Sequence, residues 1–288
     1  MEVKKGISYF DRFSLHYRLY GSSGPVIICV NGAYQTMFIW RSFIKVFSRD
    51  HRVLVFDFPG QGKSTIDSVP FVVSFEEQVK ILGNMVDFAS SMSKVFVFGL
   101  SWGGVVAAAY ASTHPGKIEK LMLASFIVRA NGKLRDIISR GKTMLYRGQH
   151  TEISELMIDG FGQGLSDNIK SHTQRQFREI SDISLRAFDE YASLLDSIGT
   201  ISDFIDLSKI DAETVIINSG NDPIVDSYDI EEITDDIPNR QIKIIENVGH
   251  FLHLENKNIF SVYRDFLTKR DPKHSLDRYS AAYLRYRL

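Results

Sequence analysis

Val95-Phe96-Val97-Phe98-Gly99-Leu100-Ser101-Trp102-Gly103-Gly104 is the stretch on which the fold turns. Its first four residues are continuously apolar, as expected of a strand buried on both faces. Beyond Gly104, Val105 to Ala111 is small and apolar and reads as a helix packed closely on a sheet. Between them lies Gly-x-Ser-x-Gly. In a tight strand-to-helix turn the positions two before and two after the serine have no room for side chains, and Gly99 and Gly103 meet that need. Such a turn lifts a serine hydroxyl above the sheet edge. It also aims the next backbone N–H, that of Trp102, and the helix N-terminus at any negative charge that develops there. The bland alternative is a glycine-rich turn opening a tightly packed helix.

The same rhythm extends outward. Phe13 to Tyr20 alternates and meets the turn Gly21-Ser22-Ser23-Gly24, a strand with one wet face. Val26 to Val30, Arg52 to Phe56 and Lys120 to Ser125 read as buried strands, and Phe38 to Phe47 and Phe75 to Phe88 as helices. From about Ile127 to Leu207 the spacing is helical throughout. Leu134, Ile137, Ile138, Gly141 and Leu145 share one face, as do Leu185, Phe188, Ala192 and Leu195, with Gly199 as a stop. The α/β alternation then resumes with a strand at Thr214 to Ile217, a weak helix at Ile230 to Ile237, a strand at Ile242 to Ile245 and a helix at Ile259 to Leu267. The expectation is a mostly parallel, doubly wound α/β sheet with an inserted helical cap: a core at 1–127 and 208–268, a cap or lid at 128–207, and a basic extension at 269–288.

Composition narrows the function classes. The 288 residues are 44% hydrophobic and 24% charged, which suits a globular enzyme and not a disordered chain. The formal net charge of −1 gives no global field for nucleic acid. Cys29 is the single cysteine, so a disulfide within the chain and a thiolate zinc cluster are both excluded. No run approaches the length of a membrane-spanning helix, and Met1 to Gly6 lacks the apolar segment of a signal peptide, so a cytoplasmic setting without a transmembrane segment is expected. The eight histidines are scattered, and neither a metal nor a cofactor is inferred.

A serine nucleophile needs a base, and the base needs an orienting acid, in the chain order serine, acid, histidine for this type of sheet. Asp222, in Gly220-Asn221-Asp222-Pro223, directly follows the strand Thr214 to Asn218. His250, in Val248-Gly249-His250-Phe251, follows the next strand. Both loops lie at carboxyl ends of strands, where sites on open parallel sheets are built. Asp226 and His253 are the second choices for acid and base. A turn aspartate and a core histidine are the bland readings. Val30-Asn31-Gly32-Ala33-Tyr34 ends an early buried strand, and its Ala33 N–H is the expected second oxyanion donor beside that of Trp102. Asn31, Gly32 and Tyr34, with Phe251 beside the base, are expected to meet substrate.

Other motifs carry less. Gly62-Lys63-Ser64 resembles the end of a phosphate loop, but Asp57 stands where its first glycine belongs and would repel phosphate. Gly160-Phe161-Gly162-Gln163-Gly164 reads as a flexible cap loop. Arg129, Lys133, Arg135, Arg140, Lys142 and Arg147 face only Asp136 within their segment, and the tail after residue 268 is again basic, with Tyr279, Tyr283 and Tyr286 at helical spacing. Solvated faces are the plain reading of both; a dock for an acidic partner, or peripheral contact with a membrane surface, is the sharper one.

Taken together, the Asn31-Gly32-Ala33 loop, the loop from Asp57 to Ser64, the turn at Ser101, Asp222 and Gly249-His250 resemble proteins of the α/β-hydrolase fold over nearly the whole chain. Within that superfamily, Val30-Asn31-Gly32-Ala33, Ser101-Trp102-Gly103-Gly104 and Gly249-His250-Phe251-Leu252, followed by Leu254-Glu255 and Lys257, resemble the hydroxyalkanoyloxy-alkanoate synthases that make rhamnolipid precursors. The resemblance implies that Ser101 attacks a 3-hydroxyacyl thioester carried on acyl carrier protein, that His250 takes its proton, that Asp222 orients His250, and that a second hydroxyacyl chain resolves the acyl-enzyme. It also implies that the basic cap segment docks the acidic carrier. The residues alone leave three classes open: an acyltransferase, a carboxylesterase or thioesterase on medium-chain acyl esters, and a non-catalytic ligand receptor on a hydrolase scaffold.

Overall fold

The structure is a computed structural model and describes residues 3–179, 193–194 and 199–268. Nine strands form one sheet: β1 (Val3–Phe10), β2 (Phe13–Tyr20), β3 (Val26–Val30), β4 (Arg52–Phe56), β5 (Thr65–Ile66), β6 (Val95–Leu100), β7 (Lys120–Ala124), β8 (Glu213–Ser219) and β9 (Arg240–Ile245). The order is β1-β2-β4-β3-β6-β7-β8-β9, with β5 against β2. β1, β2 and β5 pair antiparallel, and β4 through β9 run parallel along the path. The fold is thus the mostly parallel α/β sheet that the alternation of elements predicts.

Successive residues of a strand point to opposite faces, and here both faces are packed. Val26, Ile28 and Val30 of β3 and Val97 of β6 join one core, where α2 (Phe75–Ser90) supplies Ile81, Leu82 and Met85 and α3 (Trp102–Thr113) supplies Val105 and Val106. Ile27 and Cys29 of β3 and Phe96 and Phe98 of β6 join the other, where α1 (Arg41–Phe47) supplies Phe43 and Phe47 and the C-terminal helix Ile259–Thr268 supplies Tyr263 and Phe266. Each fully buried large apolar side chain contributes about 1.5–3 kcal/mol. The lone Cys29 is simply one of these packing residues, and its burial pushes the thiol pKa up.

β1 is not among the strands expected from the sequence. Lys4, Lys5 and Gly6 break the apolar alternation, and the strand is held by pairing with β2 through a short turn in which Asp11 takes φ 51°. Its exposed lysines suit an edge strand that must not pair further. Other differences are local. The late helix spans Ser227–Ile233, so Ile237 lies beyond it.

Among the described residues, three α-helices precede β8 after β7: α4 (Gly132–Tyr146), α5 (His150–Phe161) and α6 (Asp167–Glu179). They cover the carboxyl ends of the strands. Gly160 and Phe161 end α5 and do not sit in a loop: Gly160 lies where a Cβ would come 2.5 Å from Ile137 Cδ1, which lets α5 cross close over α4. The Ile201 N–H donates to the Val128 carbonyl at 2.9 Å, joining the two ends of the insertion. Ile201, Ile205 and Leu207 are buried in the sheet core, and the Ser112 hydroxyl donates to the Asp206 carbonyl at 2.7 Å, so this part of the expected cap range lies with the core. The helix face of Leu185, Phe188, Ala192 and Leu195, and the tail with its tyrosines, fall outside the described residues. No helix among the described residues is long and apolar enough to cross a membrane.

Candidate active site

Ser101 sits between β6 and α3 with φ 53° and ψ −120°, a conformation that costs a non-glycine residue about 1–3 kcal/mol. The surroundings enforce it. Its N–H donates to the Ala124 carbonyl on β7 at 2.8 Å, and its carbonyl accepts from the Gly104 N–H at 2.9 Å. A Cβ on Gly99 would lie 2.5 Å from the Gly103 carbonyl oxygen, and one on Gly103 would overlap the Val30 carbonyl. The two glycines are therefore the condition for this turn. Trp102, the first residue of α3, buries its indole and donates its Nε1–H to Gln78 Oε1 at 2.8 Å.

Two late loops meet Ser101. His250 Nε2 lies 3.0 Å from Ser101 Oγ, and His250 Nδ1 lies 2.7 Å from Asp222 Oδ2. An ionised carboxylate only accepts, so the proton belongs on Nδ1 and Nε2 is left to accept from the serine hydroxyl. The other carboxylate oxygen of Asp222 accepts from the Ile224 N–H at 3.0 Å, which fixes the acid. All three side chains are buried. The second choices lie elsewhere. Asp226 is exposed at the start of the helix Ser227–Ile233. His253 is buried against Trp40, hydrogen-bonded to the Ile39 carbonyl at 3.3 Å, and burial lowers its pKa to about 4.

The sequence signals no role for Glu255. The Glu255 carboxylate accepts from the Gly249 N–H at 2.7 Å and from the Phe251 N–H at 3.0 Å. These flank His250, so a single side chain clamps the backbone on both sides of the imidazole. Phe161 from α5 and Phe251 pack edge-on to the imidazole, each with ring centroids 5.4 Å away.

The loop after β3 corrects part of the expectation. Ala33 and Tyr34 line the cavity beside Ser101. Asn31 and Gly32 do not. Asn31 is buried beneath the loop, where its amide donates to the Phe56 carbonyl at 3.0 Å and to Asp57 Oδ1 at 3.2 Å and accepts from Trp40 Nε1 at 2.7 Å. A buried amide must be paired, and these partners turn it inward, away from substrate. The Gly32 N–H donates to Gln35 Oε1 at 2.9 Å, so it is already used. Asp57 completes the brace by accepting from the Met37 N–H at 2.6 Å. Its burial raises its pKa to about 6, against the lowering effect of the Met37 and Asn31 hydrogen bonds. The stretch from Asp57 to Ser64 that resembles a phosphate loop thus supports the neighbouring loop from within.

Ser101, His250, Trp102, Ala33, Tyr34 and Phe251 open on one cavity of about 370 Å³. Its upper wall is apolar and comes from the cap, with Leu134, Ile137 and Leu145 of α4 and Ile153 and Met157 of α5. Of the six basic residues between Arg129 and Arg147, only Lys142 shares this surface. Arg129 pairs with Asp229 at 2.9 Å and Arg140 with Asp136 at 3.3 Å, and Arg135 Nε donates to the Ala130 carbonyl at 3.2 Å. Lys142 lines the main cavity, Lys133 lines a cleft behind Gly249, and Arg147 is exposed at the end of α4.

The sheet, the strained serine turn and the late loops define a class, and the sequence agrees: residues 27–260 match the alpha/beta hydrolase family, and this chain is an enzyme belonging to it. Among its relatives, the (R)-3-hydroxydecanoyl-ACP:CoA transacylase of Pseudomonas aeruginosa is 22% identical over 265 residues, covering 91% of this chain and 87% of its own. The poly(3-hydroxyalkanoate) depolymerase of Ectopseudomonas oleovorans is 25% identical over 246 residues, covering 84% of each chain. Among solved structures, an alpha/beta hydrolase enzyme from a Medee basin deep-sea metagenome library matches with a TM-score of 0.80 at 20% identity, covering 95% of this chain and 100% of that one. That likeness concerns the fold alone.

Proposed function

We propose that this enzyme transfers 3-hydroxyacyl groups from a thioester through an acyl-Ser101 intermediate. The observation that carries the reading is the union of one hydrogen-bonded chain, Ser101 to His250 to Asp222, with a cap-covered apolar cavity. Ser101 Oγ attacks the thioester carbon as His250 Nε2 takes its proton; Asp222 stabilises the imidazolium that forms. The Ala33 and Trp102 N–H groups hold the oxyanion. The C–S bond then breaks, and the thiol leaves with the proton from His250. In the second half the hydroxyl of another 3-hydroxyacyl chain gives its proton to His250 and attacks the acyl-serine, forming the new ester and freeing Ser101.

Transfer to an alcohol needs water kept from the acyl-serine, which the apolar cap wall favours, and about 370 Å³ falls within the range that encloses a small organic ligand. The names of the transacylase and the depolymerase both contain a 3-hydroxyacyl unit, which supports that substrate class. The depolymerase also supports a second reading, in which water resolves the same intermediate and the enzyme is an esterase or thioesterase.

Incubation with 3-hydroxydecanoyl-acyl carrier protein, followed by mass spectrometry, separates the two. The expected product is the ester of two 3-hydroxydecanoyl units. Free 3-hydroxydecanoate as sole product would replace transfer by hydrolysis, and turnover unchanged in Ser101→Ala would overturn both.

A further inference from the structure

The cavity around Ser101 has two unlike sides. α4 and α5 give it aliphatic side chains, whereas α1 and α6 give it Arg41, Ser42, Lys45, His172 and Gln176. Among the described residues that line it there is no aspartate or glutamate, yet Arg41, Lys45 and Lys142 all reach it. The chain as a whole has 34 basic and 35 acidic residues, so this one-sided lining is a local property.

Arg41 and Lys45 stand one turn apart on α1, whose opposite face of Phe43, Ile44 and Phe47 is buried, so both project to the same side. Arg41 lies over the Phe38 ring at 5.0 Å. Among the described residues neither Arg41 nor Lys45 forms an ion pair, in contrast to Arg129 and Arg140 of the cap. Lys142, across the cavity, donates to the Ser193 hydroxyl at 2.7 Å, a neutral partner. A guanidinium fork and an ammonium placed together, with their charge uncompensated, match a phosphate or carboxylate. Both residues are exposed where they line the cavity, so their attraction for an anion is strongest at low salt.

We infer that Arg41 and Lys45 form an anion subsite, which holds the charged end of an acyl amphiphile while α4 and α5 hold its chain. The identity of the amphiphile rests on the proposed acyl transfer. Its anion is the phosphate of a phosphopantetheine thioester donor or the carboxylate of a hydroxy-acid acceptor. Neutral glycerides and simple alkyl esters lack the group that this side of the cavity recognises.

Equilibrium binding of unreactive ligands tests the subsite apart from catalysis. The probes are two matched pairs without an activated acyl group: S-decyl-4′-phosphopantetheine against S-decyl-pantetheine, and 3-hydroxydecanoate against decane-1,3-diol. Calorimetry at low salt is expected to show the anionic member of one pair binding about tenfold more tightly. The double variant Arg41→Gln/Lys45→Gln should lose that preference and keep both its affinity for the neutral member and its melting temperature. Preference within the first pair assigns the subsite to the donor, and within the second to the acceptor. No preference in either pair, or a preference that survives the double variant, overturns the subsite and shows the two cations to be solvated stems covering apolar surface. The thioether cannot react, so this outcome is read independently of whether Ser101 transfers acyl groups.

Discussion

The edge of the sheet and the cap above it use their polar atoms in opposite ways. At the carboxyl ends of the strands the site is fixed by directional bonds: Asp222 holds His250, Glu255 holds the backbone around it, and Asn31 and Asp57 brace the loop of Ala33. In the cap the wall that α4 and α5 turn to the cavity is mainly apolar, with Leu134, Ile137, Leu145, Ile153 and Met157, and Lys142 is its one charged residue. Directional bonds fix geometry to fractions of an ångström, which bond-making requires. Non-directional packing accepts chains by volume. On the proposed acyl transfer, the carboxyl ends of the strands set the rate and the cap selects the chain, so substitutions in the two regions should fail differently.

The largest effect is expected at Ser101. Ser101→Ala should lower turnover of an activated decanoyl ester by at least about 10³-fold, while the far-ultraviolet dichroism is unchanged. Next comes Glu255→Gln. An amide accepts from one of the two N–H groups and presents its own NH₂ to the other, so the His250 loop loses one anchor. A fall in kcat of about tenfold, with KM nearly constant, is expected from the loss of about 1–3 kcal/mol of anchoring. An equal change in KM would place Glu255 with substrate binding and blur the division.

Asp57 offers a readout in stability. Burial raises its folded-state pKa to about 6, above the ordinary carboxylate value that holds in the unfolded chain. Between these two values the folded protein keeps a proton that the unfolded chain releases. The associated stability is therefore full at about pH 4 and is lost as the pH rises through 6, by an amount of order 2–3 kcal/mol. Asp57→Asn, which stays neutral, should flatten this part of a denaturant-midpoint curve against pH. The smallest effect is in the cap. A Cβ at Gly141 of α4 would meet Leu156 Cδ2 at an ordinary 3.9 Å, and Gly141 lines the cavity. Gly141→Ala should stabilise the helix by about 0.5–1 kcal/mol and shift the preferred acyl chain slightly shorter, with turnover of short chains unaltered.

The same contrast explains what could be read in advance. β3, β4, β6, β7 and β8 announce themselves because a strand buried on both faces must be apolar throughout, and the turn at Ser101 because only glycine fits beside it. β1 was hidden because its support comes from pairing with β2 and not from its own pattern. Asn31 was read as a substrate contact because loop position says nothing of side-chain direction; its partners Trp40, Phe56 and Asp57 decide that direction. Glu255 carries no signal of its own in the sequence, since nothing in its spacing from Gly249 and Phe251 shows that one carboxylate reaches both backbones. Phe161 stood in a glycine-rich stretch read as a loop, yet it ends a helix and packs on His250.

The hydrogen bond from Ile201 to Val128 has a consequence for how such molecules diversify. The insertion departs from and returns to the sheet at a single point. To the rest of the molecule it is one closed loop, whatever it contains. The entropy of closing a loop rises only logarithmically with its length, so residues can be added, deleted or exchanged inside it at small cost to the scaffold. The junction at Val128 and Ile201 is thus a natural splice point, where the cap of another alpha/beta hydrolase can be grafted without disturbing a strand.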